Sequence, residues 1–284
     1  MLETAPLRAI DPAAPQYNAS LVARSDENES LGYFFVRFDG EPTPFEPGQY
    51  MTIGVFVDGK IVQRPYSVAS DPAVAGSEGY EMYVRLVHGG AFTPLLWQLP
   101  VGHRMRMIGP KGKFTLEPDD DRTHLFISSG TGNAPFVAMM RSLLRQRAPR
   151  RVVFLNGVSR VDDLGYRSLV EGWAASGTYP VTYVPTISRP NEPENAGWEG
   201  RWGRVESIVA PVCDELGLTA DNTIAYICGN PDMIVAAEAT LLGRGFPEAQ
   251  VKKELYWPKG KEPRGLDAAN LAEAIDAIEE NADQ

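Results

Sequence analysis

Two textures of hydrophobic patterning divide the chain. From Tyr17 to about Leu116, apolar and polar residues alternate through "YNASLVARSD", "LGYFFVRF", "QYMTIGVFVDG", "IVQRPYSVAS", "YEMYVRLVH" and "HRMRMIGP". Period-two alternation, rich in aromatic and β-branched residues, predicts strands. Turn signals at "FEPGQ", "VDGK", "VHGG" and "LPVGH" separate them. Six short strands at this spacing predict a small antiparallel barrel, with one short helix near "FTPLLWQL".

After the acidic hinge "EPDDDR" the pattern changes. "THLFISSG", "RRVVFLNGVS", "YPVTYVPTIS" and "TIAYICGN" are apolar runs that predict buried strands. Between and after them, "APFVAMMRSLLRQ", "DLGYRSLVEGWAAS", "GRVESIVAPVCDEL" and "PDMIVAAEATLLGRG" predict helices. Regular strand–helix alternation predicts a parallel sheet covered on both faces, with its ligand at the carboxyl ends of the strands. The expected fold is therefore an N-terminal six-stranded antiparallel barrel followed by a doubly wound parallel-sheet domain. Its expected divisions are a loose arm at 1–16, the barrel at 17–118, the α/β domain at 121–258 and a tail at 259–284. In the tail, Leu271, Ile275 and Ile278 form a narrow helical stripe, which Asp267 would cap.

Composition removes several function classes. A formal net charge of −10 disfavours nucleic acid as a general partner. The two cysteines, Cys213 and Cys228, are far apart and make no CxxC cluster, which excludes a cysteine-held iron–sulfur or zinc centre. His88, His103 and His124 have no metal-ligand spacing, so no metal is expected. The uncharged run from Thr123 to Met140 holds Ser, Gly, Asn and Pro at its centre, so no membrane insertion is expected. The first residues have neither a basic start nor an apolar core, and the expected location is the cytoplasm.

Four stretches could carry chemistry. "SSGTGNAPF", Ser128 to Phe136, follows an apolar strand and opens a helix. Glycines there let the backbone approach a phosphate, although the same turn also occurs without a ligand. "YICGNPDM" repeats the arrangement, with Cys228 and Gly229 at the strand end. Cys228 is either inert packing or a wall of the ligand crevice. Arg160, Arg189 and Arg204 sit at strand ends or in loops, where each is either a phosphate reader or a solvated charge. "VQRPYSVAS" interrupts a β-pattern with Arg64, Pro65, Tyr66 and Ser67. A cation for a pyrophosphate, a ring to stack on a heterocycle and a hydroxyl for a ring nitrogen together describe a flavin dinucleotide site. The alternative is a strand edge where Pro65 ends the pairing. "VHGGAFTPLL" adds a glycine turn and Thr93 near a short helix start, a second possible anion cradle.

The ordered set "RPYS", "GTGNAPF" and "CGNPDM" resembles the ferredoxin–NADP reductase family, most closely its bacterial ferredoxin (flavodoxin)–NADP reductases. The resemblance covers about Tyr17 to Trp257. It implies that the barrel binds FAD: Arg64 on the pyrophosphate, Tyr66 stacked on the isoalloxazine, and Ser67 near flavin N5, with Gly89, Gly90 and Thr93 as the second FAD segment. It implies that Gly130, Thr131 and Gly132 hold the nicotinamide nucleotide, with Pro135 regular for the family, and that Cys228 and Gly229 lie beside the nicotinamide. Arg160, Arg189 (with Ser188 before it) and Arg204 would read the 2′-phosphate that separates NADP from NAD. Glu254, Tyr256 and Trp257 match the Glu-x-Tyr-Trp ending of one subgroup, whose final aromatic packs on the FAD. The chain departs from that ending by continuing for 27 more residues. The tail would lie on a second subunit or over the FAD, or be an appendage.

What the resemblance implies is an FAD-dependent oxidoreductase moving electrons between NADP(H) and a ferredoxin or flavodoxin. Ser67, Cys228 and Glu254 would sit at the hydride-transfer centre. Arg104, Arg106, Lys111 and Lys113 are candidates for a basic docking patch. Two rival readings remain: an NADH-dependent reductase component of an oxygenase, and a non-catalytic flavin-binding redox sensor.

Overall fold

The computed structural model describes residues 10–147, 150–177 and 179–255. Within these, the chain forms two compact units. The first comprises 10–116 and Ala134–Gln146, and the second comprises Glu117–Asn133 and 147–255.

The first unit is an antiparallel sheet of six strands: β1 (Ala19–Asn28), β2 (Leu31–Phe38), β3 (Tyr50–Val57), β4 (Lys60–Ser67), β5 (Tyr80–Arg85) and β6 (Arg104–Lys111). Their spatial order is β4-β3-β6-β1-β2-β5. The two edges meet where Val68 bridges Met82 and the Ala69 N–H donates to the Glu81 carbonyl at 2.8 Å. That contact curls the sheet toward the expected barrel. Alternation sets the core. Met51, Ile53, Val55 and Val57 of β3 are buried with Met105 and Met107 of β6. Burying each such side chain contributes about 1.5–3 kcal/mol, and a one-residue slip would expose them all, so the pattern fixes the register.

Two short helices, α1 (Ala75–Glu78) and α2 (Thr93–Gln98), belong to this unit. So does the longer α3 (Ala134–Gln146). Arg141 of α3 donates to the Ala69 carbonyl at 2.7 Å and to Glu81 at 2.5 Å, Arg145 donates to Asp71 at 2.6 Å, and Phe136 meets Phe114 edge-on. Residues 10–16, expected to be loose, follow the barrel. Ile10 bridges Val57, and the Tyr17 hydroxyl donates to the Asp11 carbonyl at 2.8 Å.

The second unit is a parallel sheet in the order β10-β9-β8-β7-β11-β12. Its strands are β7 (Thr123–Ser129), β8 (Val152–Val158), β9 (Val181–Ile187), β10 (Arg201–Trp202), β11 (Thr223–Gly229) and β12 (Val251–Leu255). The alternation pattern anticipates four of them. β10 is only two residues long, and β12 reads "VKKEL", a charged edge strand with no apolar run. The helices are α4 (Arg167–Ser176), α5 (Val205–Leu216) and α6 (Pro231–Gly243). Leu125, Ile127, Val153, Leu155, Ala225 and Ile227 pack with Val209 and Val212 of α5 and Ile234, Ala237 and Leu241 of α6. The intervening residues Phe126, Phe154 and Tyr226 are buried too, which is why these strands read as unbroken apolar runs. The strand order reverses between β7 and β11, the place where such sheets bind ligands.

At the other end of β7, His124 is buried and stacks on Tyr226 with ring centroids 5.6 Å apart. Burial, with the Arg150 charge, pushes its imidazole down to about 4, against smaller opposing effects of Asp120. The unfolded chain protonates near the ordinary value of about 6.5, and the folded one does not until near 4. The unfolded state therefore binds more protons in this window. The stability is present above the window and is lost as pH falls through it. A His124→Phe variant should show a shallower fall of melting temperature from about pH 7 to about pH 5. Equal slopes in the two proteins would refute this.

No helix among the described residues is long and apolar enough to cross a membrane. Tyr256, Trp257, Asp267, Leu271, Ile275 and Ile278 lie outside the described residues.

Candidate functional site

In the first unit, the residues singled out around Arg64 lie on β4, an edge strand paired with β3. Pro65 does not end the pairing. It stands opposite Thr52, Tyr66 follows opposite Met51 and Ser67 opposite Tyr50, and the Val68 N–H then donates to the Gln49 carbonyl at 3.0 Å. An edge strand tolerates the N–H that proline lacks. Residues two apart on a strand share a face, so Arg64 and Tyr66 point to the same side. Arg64 is exposed, and its guanidinium donates to the adjacent Gln63 carbonyl at 2.7 Å. The Tyr66 ring packs against Phe92 with centroids 6.1 Å apart. Burial pushes its phenol well above the ordinary tyrosine range, so it stays neutral. Ser67 is buried.

The second barrel segment divides its tasks. Gly89 has φ +77° and open space around its α-carbon. A side chain at Gly90 would press on the Val87 carbonyl, 2.9 Å from the added carbon. The Thr93 hydroxyl accepts from the Val87 N–H at 2.9 Å. Thr93 thus closes its own turn, leaving the glycine backbone as the open surface. Arg104 is likewise engaged within the barrel, through a surface ion pair. It pairs with Asp39 and donates to Ser20 and to the Tyr17 carbonyl. Arg106 donates to the Gln16 carbonyl at 3.2 Å.

In the second unit, two motifs distant in sequence meet. Gly130–Asn133 forms a 3-10 turn after β7, and Gly130 has φ +53° with open space beside it. A β-carbon on Gly132 would lie 2.3 Å from the Cys228 carbonyl oxygen and 2.6 Å from the Gly229 α-carbon. One on Gly229, where φ is +143°, would lie 2.4 Å from the Ser129 hydroxyl, which accepts from the Asn230 N–H at 2.8 Å. Glycine is therefore required at Gly132 by close backbone approach, and at Gly229 by close approach and by its positive φ. Cys228 stands opposite Ser128 of β7 on one side and Glu254 of β12 on the other. It is fully buried, and burial, reinforced by the Glu254 charge, pushes its thiol far above the usual range. The Cys228 thiol is therefore neutral and is not a thiolate nucleophile.

The arginines form an asymmetric group. Arg160 donates through Nε to Glu192 Oε2 at 2.5 Å, and Arg189 through Nη1 to Glu192 Oε1 at 2.8 Å. Ser188 donates its N–H to the Val158 carbonyl at 2.9 Å, fixing Arg189 beside the end of β8. Beneath them Asn195, 1% exposed, ties the loops together. It accepts from the Val161 N–H at 2.9 Å and donates to the carbonyls of Ser159 at 3.0 Å and Arg189 at 2.7 Å. Arg204, at the start of α5, is 74% exposed, with Glu206 3.9 Å away. Glu192 and Asn195 are additions to the residues expected from sequence. Nothing local in "RPNEPENAG" sets Asn195 apart from Asn191, because its partners lie up to 36 residues away.

These surfaces fit two dinucleotides. Arg64 and Tyr66 offer an exposed cation and a ring on one strand face. The turns at Gly89 and Gly130 are open to a phosphate, and Arg160 with Arg189 concentrates positive charge where β8 and β9 end. Family models agree: the oxidoreductase FAD-binding domain matches residues 19–116, and the oxidoreductase NAD-binding domain matches 126–239. The protein is a flavoprotein oxidoreductase that uses FAD together with a nicotinamide nucleotide.

The chain belongs to the ferredoxin–NADP reductase family. It is 34% identical over 225 residues to ferredoxin–NADP reductase B of Sorangium cellulosum (strain So ce56), covering 78% of this chain and 89% of that relative. It is 32% identical over 245 residues to the reductase component of phenol 2-monooxygenase from Pseudomonas sp. (strain CF600), covering 85% of this chain but 65% of that longer protein. The crystal structure of a ferredoxin NADP+ reductase from Neisseria gonorrhoeae, with bound FAD and NADP, superposes with a TM-score of 0.71 at 21% identity, over 84% of this chain and 98% of that one. At that identity the likeness is one of fold.

Proposed function

We propose that the protein carries electrons between NADP(H) and a one-electron carrier protein, a ferredoxin or a flavodoxin. The observation that most supports this reading is the pairing of Arg160 and Arg189 around a single anionic group, on loops that Asn195 holds rigid. Two guanidiniums so placed suit a 2′-phosphate, which accepts charge-assisted bonds from both. The relative that matches over 89% of its own length is named for the same reaction.

When bound, FAD supplies the exchange between a hydride pair and single electrons. The residues of the chain bind and orient. Arg64 would hold the pyrophosphate, Tyr66 would stack its ring on the flavin, and Ser67 would offer its hydroxyl to the flavin. The Gly130–Gly132 turn takes the nicotinamide nucleotide. Cys228 and Glu254, neighbours on β11 and β12, would flank the nicotinamide ring, where the neutral thiol would add no charge. The one-electron acceptor would be a centre outside these residues, since Cys213 and Cys228 cannot hold a cluster.

The test is steady-state reduction of a panel of ferredoxins and flavodoxins with NADPH and NADH in parallel. Reduction of no carrier in the panel, alongside rapid turnover with an artificial dye, would overturn the proposal. In the same assay, Arg160→Ala and Arg204→Ala should each raise the KM for NADPH about 10- to 100-fold, the loss of one charged hydrogen bond, while that for NADH stays nearly constant. Equal effects on both coenzymes would overturn the 2′-phosphate assignment. A second reading, the reductase component of an oxygenase, is favoured by the phenol 2-monooxygenase relative. It predicts NADH preference and delivery of electrons to an oxygenase.

A further inference from the structure

The arginines assigned to the 2′-phosphate are not idle without it. Glu192 bridges them, one carboxylate oxygen to each guanidinium. A carboxylate held by two arginines imitates a phosphate with two of its oxygens bound. It also halves the positive charge that the two arginines present. Arg160, Arg189 and Glu192 are all partly exposed, so these bonds are weak and exchangeable. The loops do not depend on them, because the three hydrogen bonds of buried Asn195 hold the backbone at Ser159, Val161 and Arg189.

We propose that Glu192 sets the coenzyme preference of the protein: it is a built-in competitor that a 2′-phosphate must displace and that a ribose 2′-hydroxyl can bond. This rests on the assignment of Arg160 and Arg189 to the 2′-phosphate. An incoming dianion meets the charge of Glu192 and must break both ion pairs. A coenzyme without the phosphate leaves both pairs intact and donates its hydroxyl to the carboxylate, which is the acceptor such ribose hydroxyls use. Both arginines hold the Glu192 carboxyl below its ordinary range, so it stays ionised at neutral pH.

The experiment uses the full chain with its flavin, a dye as acceptor, and NADPH and NADH as substrates, with 2′-phospho-AMP and AMP as inhibitors. In Glu192→Gln, the NADPH-to-NADH ratio of kcat/KM should rise about tenfold, the size of one charge-assisted bond. Inhibition by 2′-phospho-AMP should tighten while that by AMP weakens, and the gain for 2′-phospho-AMP should shrink with salt. A ratio that stays constant or falls overturns the proposal, since Glu192 would then be a support for the arginines. Arg160→Ala and Arg189→Ala are measured alongside. If they lower the ratio while Glu192→Gln does not raise it, the competitor role fails and the phosphate reading stands. If neither arginine variant moves the ratio, the phosphate reading itself fails.

Discussion

Replacing Gly132 with alanine is expected to cut kcat/KM for NADPH about a hundredfold while the purified protein keeps its flavin colour. The added carbon would fall 2.3 Å from the Cys228 carbonyl oxygen, 2.6 Å from its carbonyl carbon and 2.6 Å from the Gly229 α-carbon. All three are backbone atoms, so no side-chain rotation relieves the clash. The turn and the end of β11 must separate, and misplacement of about 1 Å at such a site costs on this scale. Overpacking of this kind also destabilises by about 1–3 kcal/mol, so the second unit should melt earlier. The proposed flavin ligands Arg64, Tyr66 and Ser67 belong to the first unit, which keeps the flavin content a separate readout. Gly130→Ala is the control: it has open space and only its φ of +53° to strain, so its loss should be much smaller. Equal losses in the two variants would show that the meeting of the two motifs does not matter.

Asn195→Ala should have the second largest effect. The side chain is buried and makes three hydrogen bonds to backbone groups of two separate loops. Truncation strands the Val161 N–H and the carbonyls of Ser159 and Arg189 around a small void. Unsatisfied buried groups cost about 1–3 kcal/mol each, and water entering the void offsets part of that, leaving about 2–3 kcal/mol in total. The melting temperature should fall by about 5–10 °C. Preference for NADPH should fall with it, because Arg160 and Arg189 lose their common support. Asn195→Asp keeps the acceptor for Val161 but puts a carboxylate against two carbonyls, so it should be at least as damaging. A selective loss of NADPH preference with no change in melting temperature would place Asn195 at the coenzyme and not beneath the loops.

Elements with strong local signals were legible from sequence. β2 follows "LGYFFVRF" and α3 follows "APFVAMMRSLLRQ", each bounded by turn residues or proline. β12 was not, because an edge strand needs no apolar run: Lys253 pairs with Glu238 and Lys252 with Glu117 at its surface. Pro65 was misjudged for a related reason. Whether proline interrupts a sheet depends on whether the strand is central or at an edge, and that is a property of the whole sheet. At the site, the glycines and arginines announce themselves by type and position. Glu192 and Asn195 do not, since an acidic residue and an amide in a polar loop are ordinary until their partners fold around them.

The chain passes between the two units three times, at 116–117, 133–134 and 146–147. Neither unit is therefore a continuous length of polypeptide, and no single cut yields two self-sufficient halves. A fragment ending at Leu116 would lack α3, and with it the guanidiniums that meet Glu81 and Asp71 and the ring that meets Phe114. A fragment beginning at Glu117 would carry α3 without those partners. Interleaving of this kind ties the inheritance of the two modules together: recombination that exchanged one coenzyme module for another would have to preserve the α3 contacts as well as the site. The ion pairs of Arg141 and Arg145 are thus constraints on how the gene can be shuffled.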